Sequence, residues 1–303
     1  MTELLDADAV TVALPMSTAI AAVRDALRAG LDPAGDPARG VVPLDHGHLL
    51  VMPAQWGEYA GIKVASVAPG NPAVGRPRIQ GSYLLLDGTT LTPLAVLDGI
   101  ALTAIRTAAV SAVAVDLLAE PAAATLVVFG SGPQAHSHVA ALREIRPLRE
   151  VVVIGRDRAR ADVFVAECVE SGLAARTGTV SDVPSADIVA CCTTARTPLF
   201  DGTLLARHAT VVAVGSHEPD AAEVDAATVT GSTVVVEAVA TALREAGDIV
   251  GPVRAGLLDP DTLVGLAALV RGSVAVDRSR PRLFKSVGMA WEDLVLAARA
   301  YQG

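Results

Sequence analysis

At 303 residues the chain is longer than one ordinary hydrophobic core and suits two. It is 51% hydrophobic but only 3% aromatic, and its net charge is −9, so it lacks stacking platforms for bases and repels phosphate polymers and anionic lipid. Nucleic acid and membrane are excluded as partners, whereas a local basic pocket for one small anion is not.

Residues 11–30 carry apolar positions at helical spacing up to Gly30, and Leu31 to Gly40, rich in Pro, Gly and Asp, reads as a loop. Short β-like runs follow at 48–52, 61–67, 82–86 and 93–97, separated by turn residues, which predicts a mixed α+β unit. Thr103 to Glu120 is helical and Ala-rich, and Pro121 ends it, marking a domain joint. Beyond it, strand-like runs at Thr125–Phe129, Val151–Ile154, Asp187–Cys192, Val211–Val214 and Val234–Val236 alternate with helix-like stretches. That alternation predicts a parallel sheet covered on both faces, hence an α/β fold with a Rossmann-type unit. From Arg282 the chain leads into a final Ala-rich helix ending near Tyr301, a tail expected to return to the first unit. No run reaches the roughly 18 uninterrupted apolar residues that span a bilayer. The first residues are acidic where a signal peptide is basic, so a cytoplasmic protein is expected. Cys168, Cys191 and Cys192 lack CxxC or Cys/His spacing and read as buried thiols.

Gly130-Ser131-Gly132-Pro133-Gln134-Ala135 has the form GxGxxA between an apolar strand and a helix beginning near Pro133. Gly130 allows the tight turn, Gly132 lets backbone approach a pyrophosphate, and Ala135 lets helix and strand pack closely. Pro133 loses no hydrogen bond in a first helical turn, whose remaining N–H groups favour an anion. The next strand ends at Gly155-Arg156-Asp157-Arg158, where a ribose-reading residue belongs. Two guanidinium groups there favour a 2′-phosphate and NADP(H), with NAD(H) as the alternative through Asp157. His46/His48 and His136/His138 have i, i+2 spacing but no third ligand, and no metal site is expected.

Several separated stretches carry a further signal: Met52-Pro53-Ala54, Gly61-Ile62-Lys63, Pro69-Gly70-Asn71, Leu97 to Ala112 around Arg106, the Gly130 loop, Val214-Gly-Ser-His-Glu-Pro-Asp220, and Phe284-Lys285-Ser-Val-Gly288. On these the chain resembles the ornithine cyclodeaminase/mu-crystallin family over essentially its whole length. The resemblance implies a substrate-binding and dimerisation domain at 1–119 and 280–303, a Rossmann NAD(P)-binding domain at 120–279, and a homodimer. It implies that Arg39, Lys63 and Arg106 surround a small amino or imino acid, and that Thr193, Val214, Gly215 and Ser216 join the Gly130 loop at the cofactor. Chemistry agrees: arginine forks hold a planar carboxylate, and a buried lysine beside cations exchanges a proton near neutral pH.

True ornithine cyclodeaminases, by the family pattern, carry carboxylates where this chain has Leu50 and His217. The implied activity is therefore NAD(P)H-dependent reduction of a small cyclic or linear imino acid, or the reverse amino-acid dehydrogenation. A cyclodeaminase releasing ammonia from a diamino acid, and a non-catalytic nicotinamide- and ligand-binding protein, are the alternatives. His217 is a candidate proton donor with Asp220 to orient it or cap the next helix; a backbone-bonded histidine is the competing reading.

Overall fold

The computed structural model describes residues 2–303. Contacts divide the chain into two units, Met1–Val110 with Met289–Gly303, and Ser111–Gly288.

Period-two alternation in the first unit builds one six-stranded sheet: β1 (Glu3–Leu5), β2 (Gly40–Leu44), β3 (Gly47–Trp56), β4 (Tyr59–Val67), β5 (Ile79–Asp87) and β6 (Pro93–Asp98), in the order β1-β6-β5-β4-β3-β2. Strands β2 to β6 pair antiparallel in chain order, and β1 adds parallel to β6. One face carries Leu50, Met52, Ala65, Tyr83, Leu85 and Leu97, all buried. The helices Ala7–Ala13 and Met16–Arg28 and the final helix Ala290–Gln302 belong to this unit, and the final helix packs on β3, β4 and β5. The single helix expected over 11–30 is two, bent by 70° at Leu14-Pro15 because Pro15 cannot donate to the helical ladder. Strand β2 was not expected; it follows the predicted loop as an edge strand whose five residues are all exposed.

The second unit is an eight-stranded, all-parallel sheet made of β7 (Thr125–Phe129), β8 (Glu150–Ile154), β9 (Ala174–Thr177), β10 (Ile188–Cys191), β11 (Thr210–Ala213), β12 (Thr233–Val236), β13 (Val264–Gly265) and β14 (Arg282–Lys285). Its order is β13-β12-β14-β11-β10-β7-β8-β9. From β7 the chain runs outward through β8 and β9, then returns to β10 on the other side, so the β7/β10 junction is a topological switch point, where α/β sheets bind ligands. Strands β7, β10, β11 and β12 are largely apolar and buried on both faces, as parallel strands under helices must be.

The borders differ from 119 and 280 for visible reasons. Arg282–Lys285, expected in the tail of the first unit, is instead a fully buried strand between β11 and β12. The helix expected at 103–120 runs Gly99–Leu118, and its end belongs with the second unit because arginines there satisfy its last carbonyls. Arg146 donates to Val115, Asp116 and Ala119, Arg278 to Leu117, and Arg282 to Leu118. This helix has the length and mean hydropathy (1.7) of a membrane span, but it is 67% buried within the protein and carries ion-paired Arg106 and Asp116.

Candidate functional site

In the second unit the GxGxxA turn sits where β7 ends. Gly130 has φ +109, and a Cβ there would lie 2.5 Å from the Cys192 carbonyl at the end of β10, so only glycine fits. Gly132 is the N-cap of the helix Pro133–Ile145, which no side chain among the described residues caps. A Cβ at Gly132 would meet nothing within 4 Å, an open cradle in front of the helix N-terminus. Ser131 and Gln134 are half-buried beside it, Pro133 opens the first turn, and Ala135 is fully buried against the sheet. A pyrophosphate fits this geometry: open approach, uncapped helix N–H groups and a positive dipole end.

After β8, Arg156 is exposed and Asp157 caps the helix Arg158–Glu170 by accepting the Arg160 N–H at 3.1 Å. Arg158, 80% exposed, lies 3.6 Å from Asp162.

The remaining predicted cofactor residues are tied into the protein itself. The N–H and Oγ1 of Thr193, after β10, donate to Glu223 at 2.8 and 2.7 Å, and the Gly215 N–H donates to the same carboxylate at 2.6 Å. Burial pushes the Glu223 carboxyl above its usual range, while Lys285 and these donors oppose that. Asp248 accepts the N–H groups of Glu223 and Val224 and pairs with Lys285 at 2.9 Å. Lys285 donates to the Ser216 carbonyl at 2.7 Å, the Ser216 hydroxyl donates to Ala221, and the Val214 N–H donates to Cys191. Thr193 and Gly215 to Ser216 therefore anchor two loops at the sheet's carboxyl edge, and the buried Glu223, Asp248 and Lys285 that hold them were missed. Lys285 lies within the Phe284–Gly288 stretch; the acids have no local signal.

His217 follows, half-buried. Asp220 does not cap the next helix; it pairs with Arg196 at 3.0 Å, Glu218 pairs with the same arginine, and Asp225 is the cap. Nor do the other histidines gather as ligands. His136 pairs with Glu167 at 2.8 Å and packs at a tilt against Phe164, and His138 bonds to Gln134 and Ser111. His46 is exposed and His48 half-buried on the first sheet, and no group of three metal-ligating side chains converges among the described residues. All three cysteines are free and buried, and burial pushes the Cys191 and Cys192 thiols up.

The first unit holds a second charged constellation. Lys63, on β4, pairs across the sheet with Met52 and Tyr83, and Gly61 two residues earlier clears space for the tyrosine, since a Cβ there would lie 2.3 Å from its hydroxyl. Lys63 is 3% and Arg106 6% exposed. Nζ of Lys63 lies 2.7 Å from Asp293 Oδ2, and Arg106 Nη1 lies 2.5 Å from Glu292 Oε2. Burial, then the charge of Arg106, lower Lys63 to about 8, against the opposing pull of Asp293 and Glu292. Arg39 is half-buried one residue before Gly40, which pairs with Val51. Continuing that register puts Arg39 level with Met52, in the row that contains Lys63. Structure thus joins Lys63 and Arg106 through the shared carboxylate of Asp293 and sets Arg39 two strands away. Glu292 and Asp293, which open the final helix, were not anticipated.

The Gly-rich turn at the switch point of a parallel sheet defines a dinucleotide-binding α/β domain. The chain belongs to the ornithine cyclodeaminase/mu-crystallin family, whose model matches residues 1–302. It is 37% identical to the Δ1-pyrroline-2-carboxylate reductase 2 of Burkholderia ambifaria over 273 residues, 87% of this chain and 83% of that protein. It is also similar to the Thermococcus litoralis Δ1-pyrroline-2-carboxylate reductase solved with NADH and L-proline, with TM-score 0.94 and 31% identity over 99% of this chain and 97% of that one. An archaeal alanine dehydrogenase dimer with bound NAD gives TM-score 0.93 and 26% identity over 99% and 95%.

Proposed function

We propose that this protein is an NAD(P)H-dependent reductase of a small cyclic imino acid of the pyrroline-2-carboxylate type, running in reverse as an amino-acid dehydrogenase. The carrying observation is the buried Lys63–Arg106 pair: a proton donor beside a carboxylate-binding guanidinium is what an imine next to a carboxylate requires. Arg106, held by Glu292, and Arg39 fix the substrate carboxylate; Lys63 hands a proton to the imine nitrogen. The bound nicotinamide cofactor supplies the hydride. Gly130, Gly132 and the first turn of Pro133–Ile145 hold its pyrophosphate, and exposed Arg156 and Arg158 favour the 2′-phosphate of NADP(H). The Arg156→Glu variant then raises the KM for NADPH roughly ten- to hundredfold and leaves that for NADH within about twofold.

Against ring closure of a diamino acid stands Leu50, an apolar side chain on the same sheet face as Met52 and Lys63, where a second ammonium needs a carboxylate. The other sheet face supports a homodimer. Val42 (46%) and Val64 (40%) are exposed there, with Ile62, Leu84 and Leu86 half-buried, a contiguous apolar surface of the kind that self-association covers.

The test is cofactor absorbance with purified protein, NADPH or NADH and a panel of cyclic imines and 2-oxo acids with ammonia, beside ornithine assayed for proline. Imine-dependent oxidation that collapses in Lys63→Ala supports the reading. Proline and ammonia from ornithine without net cofactor change replace it with a cyclodeaminase, and silence throughout with a binding protein.

A further inference from the structure

The chain contains only two lysines, Lys63 and Lys285, among 24 basic Lys and Arg residues, and both are inside, 3% and 1% exposed. Lysine is kept where a compact point charge is needed, since an arginine fork demands a wider set of acceptors. Around Lys63 the groups come from four elements. Asp293 and Glu292 stand on the final helix, both 0% exposed, and Arg106 and the Thr103 hydroxyl, 3.3 Å from Nζ, on the helix Gly99–Leu118. Tyr83 is its sheet neighbour on β5, and Asp36, in the loop before β2, acts on that tyrosine and accepts the Trp291 N–H at 2.7 Å. Glu292 is itself fixed, because its other oxygen accepts the Met289 N–H at 3.0 Å. Asp293 is thus the carboxylate nearest Nζ, and its second oxygen lies 3.5 Å from Arg106 Nε.

We propose that Asp293 is a positioning residue for the reaction: its buried carboxylate is the counter-charge that keeps Lys63 an ammonium and aims Nζ. The proposal rests on the reductase reading for its use, but its electrostatics stand without turnover. In the step served, an N–H bond of the Lys63 ammonium breaks, its electron pair staying on Nζ, and the imine nitrogen lone pair takes the proton. The nicotinamide cofactor would supply the hydride for the carbon, the product keeps the proton on nitrogen, and Lys63 recovers one from water. Burial and Arg106 both oppose the ammonium, and Asp293 is the largest of the groups that counter them, so without it the proton leaves at lower pH and the donor empties sooner.

With two lysines, protein labelled with [13C]lysine gives two ε-carbon signals, assigned by Lys63→Arg. In the wild type the Lys63 signal is charged at pH 7; in Asp293→Asn its titration moves down by roughly one to three pH units, and Asp293→Glu restores it. The alkaline limb of kcat/KM for imine reduction moves by the same amount, with the KM for the nicotinamide nucleotide unchanged. A Lys63 titration unmoved in Asp293→Asn overturns the proposal, as does a limb that stays while only thermal stability falls. If Asp293→Asn does not fold, the wild-type spectrum decides: Lys63 uncharged at pH 7 overturns it. Absence of turnover on every imine would sink the reductase reading and leave the titration result standing.

Discussion

His138 is a built-in liability toward acid. It is 0% exposed, its Nδ1 lies 2.7 Å from the Gln134 carbonyl and its Nε2 2.9 Å from the Ser111 hydroxyl. A carbonyl only accepts, so Nδ1 carries the proton and Nε2 accepts from Ser111; the neutral ring satisfies both. Burial lowers its pKa from 6.5 to about 4. An unfolded chain therefore takes up a proton near 6.5 that the folded protein refuses until near 4. The stability this represents is full above pH 6.5 and is lost as pH falls through 4, about 3 kcal/mol in all and most of it by pH 4.5. Urea unfolding at steps from pH 7.5 to 4.5 measures it. The His138→Gln variant is expected to lose about 1 kcal/mol at pH 7.5 through poorer hydrogen bonding, yet to fall less steeply in acid. Parallel losses in wild type and variant between pH 6.5 and 4.5 would refute the reasoning, because paired carboxylates elsewhere are common to both.

Three further outcomes are expected. Gly132→Ala, whose Cβ meets nothing within 4 Å, leaves urea stability within about 0.5 kcal/mol. The same methyl weakens nicotinamide nucleotide binding roughly tenfold or more in a fluorescence titration, because it stands in the pyrophosphate approach. Glu223→Gln puts an amide against N–H donors and costs about 1–3 kcal/mol in chemical denaturation, with a raised KM for the nucleotide; unchanged values of both would remove Glu223 from its anchoring role. The Tyr83 hydroxyl is buried with no hydrogen-bond partner among the described residues, so Tyr83→Phe is neutral or stabilising by up to about 1 kcal/mol. Gly61→Ala collides with that hydroxyl and destabilises, and Tyr83→Phe recovers part of the loss; strictly additive effects in a double-mutant cycle would contradict the contact.

What could be read from sequence was what has a local cause. The Gly130 turn, the strand before it and the helix after it are dictated by neighbouring residues, and each lies where spacing placed it. Most strands were legible because apolar β-branched runs show in sequence; β13, at two residues, is too short to carry a pattern, and β9, as long as β10 to β12, is Ala-Ala-Arg-Thr, a half-exposed stretch with no such run. The break at Pro15 was written in the chain and overridden by the apolar spacing around it. Lys63 and Arg106 were recoverable from motifs, whereas their counter-charges come from the far end of the chain and reach them only through the packing of the final helix on β3 to β5. Strand β14 was hidden for the same reason, since nothing local states that Arg282–Lys285 inserts between β11 and β12.

That insertion has a bearing on how the protein is made. On an emerging chain, β11 and β12 have no ladder between them until residues 282–285 are synthesised, and the first sheet lacks the helix that covers Lys63 until 290–302 follow. Neither unit closes vectorially behind the ribosome; both wait on residues 282–302, and a nascent chain stalled before them exposes a split parallel sheet and a bare apolar sheet face together.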